Sequence, residues 1–380
     1  MKDISSTGSF VDFTLENFIY VDKTVYIPQL VKLKRVFISR PRRFGKSLTL
    51  DTIATLFETG VEPYFKGTWI YDKWTEPTYP VLRLNFLNFD KNTLEKFNNK
   101  LNSKITEFAE LNQVTTYKEK DEAEDSIDHL LEQLRLEGRQ IVILIDEYDC
   151  QMTANINNET LYKQFQEKIK SFYANIKDKF AIKFLGITGV TRLKDVSIFS
   201  VGSDINDITN ASAYSQMIGF TRDEIKKYYI DYLKLASSYE NNCSVDDVTD
   251  TQLESMLDMM AQNYDGYCFD EDYEKKVFST WSVNKFFQTM IEKKKVQFGE
   301  YWYDNGGLPS ILVNYLKTHE LNIFEYLDKD KFLKVSSDDF KNPTALTTIN
   351  QNVLMCQTGY LTLRSDLNKT STVALCIPNG

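Results

Sequence analysis

The sequence predicts an α/β protein built on a parallel sheet, and three observations support this prediction. Two apolar runs of strand length, Val36–Ser39 and Ile141–Ile145, each end in polar residues and are followed by a helix-compatible segment. Two further runs, Tyr79–Phe86 and Phe180–Gly189, have the same strand character. Uninterrupted apolar runs are typical of strands that helices cover on both faces, as in parallel sheets.

A candidate phosphate-binding loop follows the first strand. It ends in Gly45-Lys46-Ser47, and apolar residues at helical spacing continue to Glu58. Gly45 allows close approach of the backbone to a phosphate, Lys46 can neutralise the β and γ phosphates, and Ser47 can ligate Mg²⁺. The full Walker A pattern G-x-x-x-x-G-K-[ST] has glycine where this chain has Arg40. A chance match of three common residues is the alternative.

Two arginines in this loop are predicted to compensate for the missing glycine. Arg40-Pro41 stiffens the start of the loop, so Arg42 or Arg43 would place guanidinium charge near the phosphates. The alternative is that both pair with surface acids. With Phe44 and Leu48, the predicted nucleotide-binding stretch covers residues 42–48.

The second motif is a Walker B pattern, in which the apolar run 141–145 leads directly into Asp146 and Glu147. Asp146 at the tip of a buried strand can reach a Mg²⁺ ion held by Ser47, and Glu147 can act as the catalytic base on water. A core strand that ends in an acidic turn is one alternative. Another makes Asp149 the base and Glu147 a structural partner. Ligands of open α/β sheets bind at such carboxyl strand ends, which favours a nucleotide site.

Three further segments add candidate residues. A strand between the Walker A and Walker B strands, for which segment 79–86 is the candidate, is typical of the branch in which Glu147 is the base. Thr188 ends the strand 180–189 and can act as a sensor of the γ-phosphate, or it is an ordinary strand-to-loop threonine. Arg192 can stabilise charge in cis or in trans, or it is a surface arginine.

The segment upstream of the first strand could contact the adenine base of a nucleotide. Tyr20 or Asp22 could flank adenine, because this segment often lies against the base in P-loop proteins. The alternative is a short extended piece that leads into a packing helix over Val25–Leu33.

The length and composition of the chain limit the classes of protein to which it can belong. The chain has 380 residues, which predicts two or more domains, and 42% of them are apolar. A net charge of -9 gives no sign of a surface that coats nucleic acid. Five widely spaced cysteines without a C-x-x-C argue against disulfides or zinc. Without an apolar leader or a membrane-length run, a soluble cytoplasmic protein is expected.

The motifs together resemble the bacterial AAA-ATPase-like family. The matching stretches are Tyr20–Thr24, Arg40–Ser47, Leu144–Asp149, Thr188–Thr191 with Ser197–Ser200, and Gly219–Thr221. The Arg-Pro-Arg-Arg-Phe-Gly-Lys-Ser loop is the usual form in that family, so the resemblance strengthens the phosphate-loop assignment. Members often carry a C-terminal restriction-endonuclease-like nuclease domain, and the resemblance implies that one would begin about where this sequence ends, at Gly380.

The chain is predicted to have three parts. Residues 1–217 form an AAA-ATPase-like P-loop core, residues 218–300 a helical lid that opens with a capping box at Thr221, and residues 301–380 a small C-terminal α/β module. Tyr301-Trp302 and Gly306–Pro309 also match the family pattern. The last two apolar runs, 358–363 and 373–379, predict a hairpin.

The predicted activity is Mg²⁺-dependent binding and hydrolysis of ATP, used as a conformational switch in a nucleic-acid-linked or defence-type system. A scaffold that holds nucleotide without turnover and a phosphotransferase remain as alternatives. The sequence leaves open a homo-oligomer and a nucleic-acid or protein partner, and it predicts no membrane association.

Overall fold

The computed structural model describes residues 1–177, 179–193, 205–301, 310–317, 319–320, 325–326, 332–343, 345–365 and 371–378. Three predicted features lie outside the described residues: the motif Ser197–Ser200, the stretch Trp302–Pro309, and the end of the last predicted strand at Asn379.

The helices and strands alternate through the first part of the chain, and short strands and helices follow. In chain order the elements are α1 (Phe10–Leu15), α2 (Ile27–Leu33), β1 (Arg35–Ser39), α3 (Lys46–Thr59), β2 (Val81–Asn85), α4 (Leu94–Leu111), α5 (Ala123–Leu136), β3 (Ile141–Asp146), α6 (Cys150–Ala154), α7 (Glu159–Ile176), β4 (Ile182–Gly189), β5 (Asn206–Asp207), α8 (Arg222–Tyr228), α9 (Ile230–Asn241), α10 (Asp250–Tyr264), β6 (Tyr267–Cys268), β7 (Lys276–Val277), α11 (Thr280–Lys293), α12 (Ser310–Leu316), β8 (Leu333–Ser336), α13 (Ser337–Lys341), α14 (Gln351–Thr358), β9 (Thr362–Arg364) and β10 (Thr372–Cys376).

Five parallel strands form the main sheet, in the order β2-β3-β4-β1-β5, which confirms the predicted α/β class. The Walker A strand β1 pairs with β4, and the Walker B strand β3 pairs with β4 and β2. The strand between the two motif strands is therefore β4. Segment 79–86 was predicted for that position. This prediction was wrong, because the segment forms β2, which lies at the sheet edge beside β3.

The sheet is buried on both faces, which explains the uninterrupted apolar runs. Every residue of β3 is buried. Ile143 packs in the core formed with α4, α5 and α7, whereas Leu144 packs in the core formed with α3. Because successive strand residues point to opposite faces, a strand between two helical layers needs apolar side chains at every position.

A helical region, formed by α8 to α11 and the segment up to Tyr301, follows the sheet and has its own core. Helices α8 to α11 pack around Tyr229, Leu233 and Phe287, together with Ile19 and Val21 from the N-terminal segment. Two capping boxes open α8 and α10, and the first of them is the predicted one at Thr221. The helix that begins at this capping box ends at Tyr228, and α9 starts at Ile230 after a break at Tyr229.

A small antiparallel sheet with the order β8-β10-β9 lies near the end of the described chain. Strands β9 and β10 form the predicted pair, with Leu363 opposite Leu375. Strand β9 begins at Thr362, later than the predicted start at Thr358, because residues up to Thr358 belong to helix α14. Leu363 and Leu375 share one hydrophobic core with Leu185 of β4, so the small sheet packs on the main fold. In the described part of the chain, no helix has the length and apolar character needed to cross a membrane.

Candidate nucleotide-binding site

The loop between β1 and α3, residues 40–45, has the backbone geometry of an anion-binding turn. Gly45 caps α3 with φ of 102°, a left-handed conformation that glycine adopts without steric cost. No side chain caps the start of α3. The first N–H groups of a helix lack intrahelical acceptors, so this helix start can receive an anion.

Lys46 is held against this loop. Its side chain is only 4% exposed, and its Nζ donates to the carbonyl oxygens of Arg40 at 3.0 Å and Pro41 at 3.2 Å. The same Nζ lies 3.8 Å from Oε1 of Glu147. The Lys46 ammonium group, which would meet a phosphate, therefore already lies inside the loop. Its nearest acceptors there are neutral carbonyl oxygens.

Three predicted residues meet at the carboxyl ends of β3 and β4. Ser47 Oγ donates to Oδ2 of Asp146 at 2.6 Å, and Thr188 Oγ1 donates to Oδ1 of Asp146. The backbone N–H of Glu147 also donates to this Oδ1, at 3.0 Å. Hydroxyl and carboxylate oxygens are the ligands that Mg²⁺ takes, often only one or two from protein, so Ser47 and Asp146 fit such an ion.

Glu147 lies just past the end of β3, in a left-handed conformation with φ of 53°. Glu147 therefore does not continue the extended strand, in which its side chain and that of Asp146 would point to opposite sides. Burial raises the pKa of its carboxyl group, Lys46 opposes this shift, Asp149 and Asp146 add to it, and Arg42 opposes it. Its side chain is 16% exposed, so it keeps an opening to solvent.

Asp149 has a different environment from Glu147. It is 1% exposed, and one carboxylate oxygen accepts the backbone N–H of Thr191 at 2.7 Å and the Thr191 hydroxyl. The other oxygen accepts the N–H of Val190 at 3.3 Å. A side chain at Gly189 would overlap the ring of Tyr148 and lie 2.8 Å from Asp149 Oδ1. Asp149 therefore holds the backbone that follows β4.

Arg40, which replaces the expected glycine, is one of the largest fully buried side chains in the described chain. Its Nη1 donates to the carbonyl oxygens of Ser39, at 2.9 Å, and Thr209, and its guanidinium lies 4.3 Å from the ring centre of Phe269. Burial lowers the pKa of Arg40 to about 9. This anchoring role of Arg40 was not predicted from the sequence, because an arginine in a loop has no local signature of burial.

Replacing Arg40 with alanine is expected to lower the free energy of unfolding by about 3 kcal/mol. The change leaves a cavity and removes the donor to two buried carbonyl groups. Chemical denaturation measures it, with Arg135→Ala as the control, since Arg135 forms only an exposed ion pair with Glu132, which contributes little to stability. Equal denaturation midpoints for the two variants would contradict the anchoring role.

The two neighbouring arginines take different directions. The charge of Arg42 partly opposes the rise in the pKa of the Glu147 carboxyl group. Arg43 turns to the helical region, where its Nη1 donates to the carbonyl oxygen of Tyr301 at 3.2 Å and its guanidinium lies 4.9 Å from the ring centre of Trp281. Of the two, Arg42 is therefore the one that lies beside the candidate catalytic group.

A cavity of about 170 Å³ adjoins the phosphate loop. Gly45 and Leu48 line it on the loop side, Tyr20 on the N-terminal side and Trp281 on the side of the helical region. Phe44 also lines it and packs edge-on against the rings of Tyr267 and Phe269. Mostly apolar cavities of this kind beside an anion site suit a planar base.

Of the two residues predicted to flank the base, only Tyr20 lines this cavity. Its hydroxyl lies 3.4 Å from Thr52 Oγ1, and burial raises the pKa of the phenol. The Asp22 carboxylate instead accepts the N–H of Thr24 at 2.9 Å and the N–H of Trp69 at 2.6 Å. Asp22 therefore stabilises the turn that leads into α2.

The structure brings five predicted residues together: Lys46, Ser47, Asp146, Glu147 and Thr188. It places Arg192 in an ion pair with Asp207, with Nε and Oδ2 2.5 Å apart. The Arg192 side chain is 21% exposed.

The parallel sheet and the loop between β1 and α3 define the class of P-loop nucleotide-binding folds. The sequence model of a family described as predicted AAA-ATPase, AAA-ATPase-like, matches residues 5–199, just over half of the chain. The protein belongs to this predicted AAA-ATPase family.

A curated relative and several solved structures are similar to the chain. An uncharacterized protein in the vnfD 5′ region of Azotobacter chroococcum mcd 1 is 29% identical over 359 residues, which cover 92% of this chain and 61% of the relative. The chain thus spans about three fifths of that relative's length.

The solved structures are much more distant. The Walker-type ATPase paby2304 of Pyrococcus abyssi matches at 12% identity and a TM-score of 0.37, over 74% of this chain and 69% of that one. Cdc6p from Pyrobaculum aerophilum matches at 11% identity and a TM-score of 0.33, over 93% and 87%. The ORC2 protein of Aeropyrum pernix, solved as ADPNP and ADP complexes, matches at 12% identity and a TM-score of 0.31, over 94% and 87%. Such low TM-scores carry no information about the function of this chain.

Proposed function

We propose that this protein binds ATP with Mg²⁺ and hydrolyses it. The observation that carries the proposal is the convergence of Lys46, Ser47, Asp146 and Glu147 where β1 and β3 end and α3 begins. This set supplies a phosphate counter-charge, oxygen ligands and a carboxylate base within one site.

Phosphate binding falls to the start of α3 and to Lys46. The uncapped N–H groups at the start of α3 donate hydrogen bonds to the phosphate oxygens, and the Lys46 ammonium moves from the carbonyls of Arg40 and Pro41 to the β and γ phosphates. This exchange replaces neutral acceptors by charged ones, which form stronger hydrogen bonds. When bound, Mg²⁺ would be held by Ser47 and Asp146 and would neutralise charge on the phosphates.

Glu147 takes a proton from the attacking water. Burial raises the pKa of its carboxyl group, which makes the carboxylate a stronger base than an exposed glutamate, and the charge of Lys46 at 3.8 Å opposes this rise. Thr188 holds the Asp146 carboxylate through its hydroxyl and can contact the γ-phosphate from the end of β4. Arg192 would contribute charge to the reaction only after leaving Asp207.

The cavity beside the loop receives the adenine, and the helical region acts as a lid over it. Tyr20 of the N-terminal segment and Trp281 of α11 both line this cavity, so a base in it can touch the core and the lid together. We assign residues 1–217 to the ATPase core, 218–300 to the lid and 301–380 to a C-terminal module. ATP turnover would then switch the lid position, in a nucleic-acid-linked or defence-type system.

Product analysis after incubation with ATP and Mg²⁺ tests the proposal. We expect ADP and inorganic phosphate in equal amounts, and none after chelation of Mg²⁺. Binding without products would support a non-hydrolysing scaffold. Labelled γ-phosphate on any acceptor other than water would support a phosphotransferase.

Replacing Tyr20 with alanine is expected to weaken ATP binding about fivefold, because the base loses one aromatic contact. Tyr20→Phe keeps the ring and removes only the hydroxyl contacts with Thr52 and the Lys23 backbone, so it serves as the matched control. Titration calorimetry measures both dissociation constants. An unchanged affinity in Tyr20→Ala would place the base elsewhere.

A further inference from the structure

We propose that Arg43 is a positioning residue that links the phosphate loop to the helical region, so that nucleotide in the loop sets the position of α11. This inference rests on the proposed function, because it requires the loop to bind nucleotide. It gives Arg43 a role different from the phosphate contact predicted from the sequence.

The first link is formed by the backbone of the loop. The carbonyl oxygen of Arg43 accepts the Thr280 hydroxyl at 2.8 Å and the Trp281 N–H at 3.3 Å. Both donors lie in the first turn of α11, where backbone N–H groups have no intrahelical acceptor. The phosphate loop therefore caps the helix that faces the base cavity.

The second link is formed by the side chain. The Arg43 guanidinium lies 4.9 Å from the Trp281 ring centre, and its Nη1 donates to the Tyr301 carbonyl oxygen at 3.2 Å. The Trp281 Nε1 donates to the same oxygen, also at 3.2 Å. A planar guanidinium can stack and donate in one fixed arrangement, which an ammonium group cannot reproduce.

These contacts hold a loop residue in an uncommon conformation. Arg43 has φ of 70°, in the left-handed region, where a residue with a Cβ is disfavoured by roughly 1–2 kcal/mol. Such a conformation persists when its surroundings fix it. The contacts to α11 and to Tyr301 supply that constraint.

Nucleotide binding disturbs this same loop. Lys46 donates to the carbonyls of Arg40 and Pro41, and it must leave them to meet a phosphate. Because Arg43 lies between Pro41 and Lys46, a change in the loop reaches α11 through the Arg43 carbonyl. The side-chain contacts of Arg43 with Trp281 and Tyr301 hold this carbonyl in place, so the link also depends on the side chain. Thermodynamic linkage then requires that the position of α11 alters nucleotide affinity in return.

Hydrogen exchange of the backbone amides, with and without ATP and Mg²⁺, tests the link. In the wild type we expect ATP to slow exchange about tenfold in both α3 and the first turns of α11. In Arg43→Ala the effect on α3 should persist, and the effect on α11 should fall below about twofold. Lys285→Ala is the matched control, because Lys285 also lies over Trp281, at 5.3 Å, but belongs to α11 itself. It should keep the wild-type response.

Each outcome supports or contradicts one claim. Absence of protection in α3 of the wild type would overturn the proposed function. Protection of α3 without protection of α11 in the wild type, or an unchanged α11 response in Arg43→Ala, would overturn only the link. If Arg43→Ala does not fold, Arg43→Lys serves instead, since it keeps the charge and loses the planar stack. We expect it to lose at least half of the α11 response, and a full response would contradict the proposal.

Discussion

Glu147→Gln is expected to keep ATP binding and to slow hydrolysis by roughly a hundredfold or more. Glutamine keeps the size of the side chain and one carbonyl acceptor, so the binding contacts survive. It cannot take a proton from water, so the chemical step is lost. Single-turnover hydrolysis measures this effect, and calorimetry measures ATP affinity in the same variant.

Asp149→Asn is the matched comparison, because it makes the same chemical change two residues along the chain. Asp149 is buried and bonded to Thr191 and Val190, so we expect lower stability in Asp149→Asn and residual hydrolysis in the folded fraction. Wild-type hydrolysis in Glu147→Gln, together with loss in Asp149→Asn, would transfer the role of base to Asp149.

Lys46→Ala is expected to weaken ATP binding by roughly 100-fold, because charge-assisted hydrogen bonds to phosphate contribute about 3 kcal/mol. The rest of the loop should persist, since Arg40 anchors its start independently. Titration calorimetry measures the change. Lys183→Ala is the control. Lys183 pairs with Glu76 and lies at the start of β4, whereas the candidate site lies at the other end of that strand. Unchanged affinity in Lys46→Ala would exclude the loop as the phosphate site.

The sequence predicted the elements of the main sheet better than their order. The apolar runs that became β1, β3 and β4 are continuous because helices cover both faces, and that requirement is visible locally. Strand order depends on pairing between distant segments. The placement of segment 79–86 was therefore wrong although its strand character was right.

The candidate site likewise combines residues that local motifs predict with contacts between distant segments that they do not predict. Lys46, Ser47 and Asp146 were predicted from motifs whose spacing reflects their shared chemistry, and the structure brings them together. The burial of Arg40 beside Phe269 and the contact of Arg43 with Trp281 join segments more than 200 residues apart. No local pattern encodes such contacts, so the sequence could not indicate them.

Release of inorganic phosphate from ATP, followed under one set of conditions for the wild type, Lys46→Ala and Glu147→Gln, tests the central claim most directly. The proposed site predicts release by the wild type only when Mg²⁺ is present. It predicts strongly reduced release by Lys46→Ala, because ATP binds weakly, and by Glu147→Gln, because bound ATP is cleaved slowly. Equal phosphate release by all three proteins would contradict hydrolysis at this site.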